Sequence, residues 1–368
     1  MRWQVSLSLV FTFTAALAAC DDSAFEPRPE QVKKTAPAPS ASAASPKVTI
    51  DPTDLAFFKP LPARFDSDKN PVTEAKVKLG RMLYYETRLS LNQELSCNSC
   101  HLLAQYGVDN QRTSSGHKKQ LGGRNSPTVY NAAGHVAQFW DGRAASVEDQ
   151  AKGPILNPIE MAMPNSDAVL NVLKSIPEYE KLFKEAFPKD KNAISYDNLA
   201  NAIGAFERQL TTPGRWDKFL LGDKGALTEA EKAGFAKFAK LGCPTCHNGA
   251  GVGGAQFQKL GLVNPYPDQS DLGRYAVTKN EADKMFFRVP SLRNVEKTAP
   301  YFNNGSIPTL ELAVKTMAHY QLGADLKDDE IATIVVWLKS LTGELPAAYI
   351  AKPDLPPSTD KTPKPKLD

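Results

Sequence analysis

Two short strings in this chain carry residues in an order that does chemistry. Cys97-Asn98-Ser99-Cys100-His101 comes first, and Cys243-Pro244-Thr245-Cys246-His247 repeats the pattern later. Thiols at positions i and i+3 lie on one face of a helical turn, where both can form thioethers to the vinyl groups of a porphyrin. The imidazole that follows at once is placed to ligate the iron. Two such strings predict two covalently bound c-type haems. A zinc site or a thioredoxin-like dithiol shares the Cys-x-x-Cys spacing, but neither requires a His directly after each pair.

A haem that reacts with peroxide needs, besides its proximal His, an openable sixth position and an acid/base group. Several residues elsewhere could serve. His117 lies in a loop flanked by Gly116, Gly122 and Gly123, and Gln150 and Glu160 follow it. A solvated Glu titrates near ~4.3, and burial beside a haem would raise that value and make it a usable proton shuttle. Leu310, Ala313, Val314 and Met317 share a helical face, whereas His319 lies roughly 200° around from Met317 and faces out. A Met/His pair raises a haem's reduction potential. On residue type alone the plainer readings are an exposed loop His, a solvated Glu, a surface amide and a Met in a packed core. Trp140 within Phe139-Trp140-Asp141-Gly142 reads equally as a core aromatic.

The elements that must position these groups read as mainly α. Thr73 caps a helix through Tyr85, Ser166 starts another that is interrupted at Pro177, and Ser195 caps a third with Leu199, Ile203, Phe206 and Leu210 on one face. Thr228 and Glu231 form a capping box for the helix entering the second string. Thr309 starts a further helix, and Asp328 opens one with Ile331, Ile334, Val335, Leu338 and Leu341 as its apolar stripe. The expected fold is two cytochrome c-like haem domains, 51–215 and 216–345. Long irregular loops at 102–165 and 248–308 would wrap the haems, an exception to the usual brevity of loops.

At 368 residues, 42% hydrophobic and 23% charged, the composition is that of a globular protein with room for two domains. Residues 1–19 resemble a lipoprotein signal peptide, with an apolar run shorter than the ~20 residues a spanning helix needs. Leu17-Ala18-Ala19-Cys20 resembles a lipobox that would make Cys20 a lipidated first residue. With Cys20 so used and four thiols given to haem, none of the five cysteines remains for a disulfide. Residues 20–50, rich in Pro, Ala and Ser, read as a disordered tether, and 346–368 as a flexible tail. The net charge of +3 favours neither nucleic acid nor a strongly charged partner. Asp21 and Asp22 after the lipid site resemble an inner-membrane retention signal, so the expected location is periplasmic and lipid-anchored.

From about Leu55 to Glu344 the chain resembles the bacterial di-haem cytochrome c peroxidases. The likeness is carried by residues 70–81, both haem strings, Arg124-Asn125-Ser126-Pro127-Thr128 and Gln138-Phe139-Trp140-Asp141-Gly142-Arg143. Asn157-Pro158-Ile159-Glu160-Met161, Val289-Pro290-Ser291-Leu292-Arg293-Asn294 and 317–323 complete it. The resemblance implies reduction of hydrogen peroxide with electrons from a small cytochrome c or copper protein, and a homodimer. It makes His101 and the removable His117 the ligands of haem one, and His247 and Met317 those of haem two. Glu160 would relay the proton, Gln150 would hold peroxide, Phe139 would border its pocket, and Trp140 would bridge the haems. Reduction of haem two would shift the His117 loop and open haem one. A Ca2+ ion would take the side-chain oxygen of Asn125 and the carbonyls of Thr298 and Pro300. Arg143 would pair with Asp141 or with a haem propionate. Two positions depart from the family's pattern: Asn303 stands where many relatives have His, and His135 where an amide or apolar residue is common. The same superfamily contains a methylamine-utilisation branch that oxidises a partner protein. That branch has Tyr where Met317 stands and lacks the removable His. The remaining alternative is a di-haem carrier that only transfers electrons.

Overall fold

A computed structural model describes residues 47–366; the signal-peptide segment, Cys20 and most of the tether lie outside the described residues. Two helical cores organise the described chain. In the first, α1 (Glu74–Tyr84) starts where the Thr73 hydroxyl accepts from the Lys76 amide. Helix α2 (Val147–Leu156) is capped by Ser146, α3 (Ser166–Lys174) by Asn165, and α4 (Pro177–Ala186) begins on its proline. Helix α5 (Tyr196–Glu207), capped by Ser195, packs against both α1 and α2. Leu79, Leu83, Phe183, Leu199, Ile203 and Phe206 are fully enclosed there.

The second core follows α6 (Arg215–Leu220). Helix α7 (Glu229–Lys240), with its Thr228/Glu231 capping box, lies against α9 (Asp328–Ser340), and α8 (Leu310–Leu322) packs on α9. Trp216, Phe235 and Trp337 meet at its centre, with Trp216 5.0 Å from Phe235 and 5.4 Å from Trp337. Burying three large aromatic side chains in one cluster stabilises this lobe, since truncating such a residue typically costs about 3–5 kcal/mol. No described helix is long and apolar enough to cross a membrane.

Three expectations need correction. The stretch at 102–165 is not irregular throughout, because α2 lies within it. Pro154, the eighth of its ten residues, disguises it, because proline lacks the N–H that an interior helical position donates to the carbonyl four residues back. The stretch at 248–308 holds a short antiparallel pair, β1 (Phe257–Lys259) and β2 (Phe286–Arg288), in register Phe257 with Arg288. The tail is not free. Residues 347–350 form a helical turn, and the chain then runs along the first lobe. Arg88 donates to the Pro356 carbonyl (2.8 Å) and Ser358 (3.0 Å), the Tyr85 hydroxyl to Ile350 (2.6 Å), and the Lys366 amide to Leu91 (3.0 Å). A proline-rich strand makes few bonds of its own but still offers carbonyls, and here outside donors use them.

The lobes also exchange their ends. Leu55 and Phe58, placed by sequence in the first domain, and Ile50, placed in the tether, pack in the second core, and the Gly249 amide donates to the Phe57 carbonyl (2.8 Å). Tyr349, Ile350 and Leu355, from the far end of the chain, pack on the first core. Arg293 of the Val-Pro-Ser-Leu-Arg-Asn string reaches Asp217 of α6 through two bonds of 2.8 Å, and both side chains are buried. Arg293→Ala would strand that carboxylate in the interior. The expected loss is about 3–5 kcal/mol in urea denaturation of the haem-loaded protein, and a loss below about 1 kcal/mol would mean the pair is solvated.

Candidate active site

Each Cys-x-x-Cys-His string opens one of two cavities. Cys97–Cys100 is a single helical turn, closed by reciprocal bonds of Ser96 and Ser99, and the His101 amide donates back to Cys97 (3.0 Å). The Tyr84 hydroxyl of α1 holds the His101 carbonyl at 2.8 Å. The second string turns the same way, with the His247 amide on Cys243 (3.0 Å). Cys97, Cys100 and His101 line a cavity of about 380 Å³. Cys243, Cys246 and His247 line another of about 260 Å³.

Burial pushes Cys97 and Cys243 up to about 12 and Cys100 to about 11. Such thiols are poor redox nucleophiles. The four cysteines are split between two cavities, so they make no single zinc site. Burial also lowers His101, and takes His247 down to about 4, so both imidazoles are neutral donors at neutral pH. Two free thiols beside a neutral imidazole on a mostly apolar cavity is a donor set that fits a c-type haem in each lobe.

The linings differ in their chemistry. Gln150 from α2, Glu160, and Phe139 with its left-handed φ of 64° all face the first cavity. Burial raises the Glu160 carboxyl, against the opposing pull of Arg143 and a hydrogen bond with Asn157. Arg143 lies 3.4 Å over the Phe139 ring and bonds Asp141 at 3.0 and 3.1 Å. The Asp141 pairing is the protein-side partner left open by the sequence. The second cavity takes Leu310, Ala313, Val314 and Met317 from one face of α8, and among the described residues no carboxylate lines it. His319 points away, its Nδ1 2.8 Å from Asp325.

His117 is not among the residues lining the first cavity. It is buried on a tight turn whose amide donates to the carbonyls of both Ile159 (2.9 Å) and Glu160 (2.8 Å). Gly116 makes this approach possible, since a Cβ there would sit 2.0 Å from the Ile159 oxygen. The structure therefore couples His117 to Glu160 through backbone without bringing its side chain into the cavity wall.

Trp140 lines both cavities, and its indole donates to the Asn125 carbonyl at 2.9 Å. Asn125, Thr298 and Pro300 all border the second cavity. Asn125 spends its amide N–H groups on Gln111 (3.0 Å) and Arg112 (3.4 Å). Its side-chain oxygen and the Thr298 and Pro300 carbonyls accept no hydrogen bond among the described residues. Arg124 clamps Asp271 at 2.7 Å twice and Asp141 at 2.6 Å, and Asn303 donates to Asp271 at 2.8 Å. Asn303 thus joins a charge cluster beside Trp140.

Sequence reasoning missed Glu207, the last residue of α5, which lines the first cavity. Burial pushes it up to about 8, with Glu148 adding repulsion. Its signal was faint: Glu207 continues the Leu199/Ile203 face, where a carboxylate is out of place. Arg288 and His135, which line both cavities, were also missed as a pair.

Two helical lobes, each setting a thiol pair and an imidazole on an apolar cavity, define a di-haem c-type cytochrome. The comparisons narrow that class. The family described as di-haem cytochrome c peroxidase matches residues 74–225. The chain is 46% identical over 296 residues to the cytochrome c551 peroxidase of Nitrosomonas europaea, covering 80% of this chain and 87% of that one. With the cytochrome c551 peroxidase of Pseudomonas aeruginosa it shares 45% identity over 317 residues, covering 84% and 90%. The solved structure of a MauG-like protein associated with microbial copper homeostasis matches at a TM-score of 0.71 and 29% identity, covering 80% of this chain and 97% of that one. The chain belongs to the di-haem cytochrome c peroxidase family.

The raised Glu207 has a consequence for stability. Its folded value, about 8, lies above the ordinary 4.5, so between these values the folded state holds a proton that the unfolded state has lost. Its contribution is full below 4.5 and falls away as pH rises to about 8. Glu207→Gln should therefore gain on the wild type between about pH 5 and about pH 8 in urea denaturation of the haem-loaded protein. An unchanged difference across that range would place the carboxylate in contact with water.

Proposed function

We propose that this chain reduces hydrogen peroxide to water, each peroxide taking two protons and two electrons from a small cytochrome c or copper-protein donor. The observation that carries this reading is the asymmetry of the cavities. The first is lined by two carboxylates of raised pKa, Glu160 and Glu207, whereas among the described residues no carboxylate lines the second. An electron carrier has no use for the first arrangement.

The haems, bound through Cys97/Cys100 and Cys243/Cys246, supply the iron at which peroxide is reduced and hold the electrons in transit. His101 would hold the iron in the first cavity, and His247 and Met317 would hold it in the second. A Glu160 carboxylate oxygen takes a proton from one peroxide oxygen and returns it to the other, and burial, which raises its pKa, favours holding that proton between the two transfers. The Gln150 side chain orients peroxide by a hydrogen bond, and Phe139 limits water around it. Trp140, in the wall of both cavities, is the route between them. His117 is the removable ligand, and because its turn hangs on the Ile159 and Glu160 carbonyls, its movement and the placing of Glu160 are one event. Asn125, Thr298 and Pro300 would hold Ca2+ through three oxygens that accept no hydrogen bond among the described residues. A periplasmic location with a lipid on Cys20, and association as a homodimer, complete the proposal.

Glu160→Gln tests it. Steady-state peroxide reduction by the half-reduced protein should fall about 10²–10⁴-fold in kcat/KM while both haems remain attached. Wild-type protein that carries both haems and never consumes peroxide would instead be a carrier of electrons.

A further inference from the structure

Where the two cavities meet, four buried polar atoms lack any partner among the described residues: Nε and Nη1 of Arg288, and both ring nitrogens of His135. Buried polar groups are nearly always bonded, and a buried charge without a counter-ion is costly, so such a cluster needs an explanation. Both residues line both cavities. Arg288 ends β2 and is 2% exposed, and its amide is fixed on the Trp140 carbonyl at 2.8 Å. Burial lowers its guanidinium only to about 10, so it carries a full positive charge at neutral pH. His135 is held inward by Gly254. A Cβ there would lie 2.3 Å from the imidazole Cδ2, and the Val136 amide donates to the Gly254 carbonyl at 2.8 Å.

The protein offers this pair no carboxylate. Asp141 and Asp271 are occupied by Arg124 and, for Asp141, by Arg143. Glu160 and Glu207 line the first cavity but bond neither residue, and the second cavity has no acidic wall. A c-type haem is tethered at its vinyl edge and carries two propionate carboxylates on its other side. A guanidinium is the side chain best matched to a carboxylate, and an imidazole N–H adds a further donor.

We propose that Arg288 and His135 form a shared seat for haem propionates at the junction of the two cavities, with Arg288 as the counter-charge and His135 as a positioning donor. The seat rests on the di-haem reading above. It ties the carboxylate edges of the haems to the strand whose terminal amide also fixes Trp140.

The test uses haem-loaded protein, with haem counted by the pyridine haemochrome and the propionate bending bands read by resonance Raman. Midpoint potentials come from a spectroelectrochemical titration. Arg288→Met should shift the propionate bands and make at least one haem about tenfold harder to reduce, which is about 59 mV for one electron. Removing a cation disfavours the reduced state, whereas Arg288→Lys, which keeps the charge, should restore most of the potential. His135→Asn should move the propionate bands with a smaller change in potential. Unchanged bands and potentials in Arg288→Met and His135→Asn, each with two haems per chain, would overturn the seat. If Arg288→Met loses haem, Arg288→Lys and His135→Asn decide by the same bands. Wild-type protein with fewer than two haems would remove the di-haem reading itself, an outcome the haem count separates from failure of the seat.

Discussion

An apolar cavity of several hundred Å³ has to be walled by packing strong enough to hold it open, and the rest of this structure follows from that requirement. Each Cys-x-x-Cys-His turn supplies three donors at one edge of a cavity. Nothing local to the turn could hold the opposite wall. That task falls mostly to helices distant in sequence: α2 and α5 wall the first cavity, with α1 packed behind α5, and α8 and α9 join the adjacent α7 around the second. Enclosed aromatic and aliphatic contacts in each core keep the walls apart, in the way close-packed interiors transmit strain rather than collapse. The exchanged chain ends add to this, since the first lobe is bound by the last residues described and the second by the earliest.

The two cavities share this architecture and differ in their polar residues. Glu160 and Glu207 face one side, and among the described residues no carboxylate faces the other. The wall between them is polar at a few points only. Trp140, Asn125, Arg288 and His135 face both sides, and the Arg124, Asp141, Asp271 and Asn303 cluster backs them. A charge or ligand change in one cavity therefore acts through short, buried contacts on residues that line the other. The bifurcated hydrogen bond from the His117 amide to the Ile159 and Glu160 carbonyls is a similar short, buried contact behind the wall of the first cavity.

Much of this was legible in the sequence where a local rule applied. Thr73, Ser195, Thr228 and Thr309 cap the helices expected of them, because a hydroxyl that satisfies a free amide is a short-range signal. The Leu310–Met317 face was readable from helical spacing. Helix α2 was not, because Pro154 and Gly153 mask its period, and the tail was misread because a proline-rich composition does not reveal donors elsewhere in the chain. Asn165, rather than Ser166, caps α3. Glu207 and Arg288 escaped for a different reason, as did the pairing of Arg288 with His135: the burial of the first and the missing partners of the other two show only in the assembled cavities.

The central claim is that one haem pocket is built to react and the other to hold electrons. A reductive titration of the haem-loaded protein with calcium present, followed by optical and EPR spectra and a peroxide assay at each step, tests it most directly. The account predicts that the half-reduced protein turns high-spin at one ferric haem and consumes peroxide only from that point. His117→Gly should then consume peroxide without prior reduction. Two haems that stay six-coordinate and low-spin in every state, with peroxide untouched throughout, would contradict it.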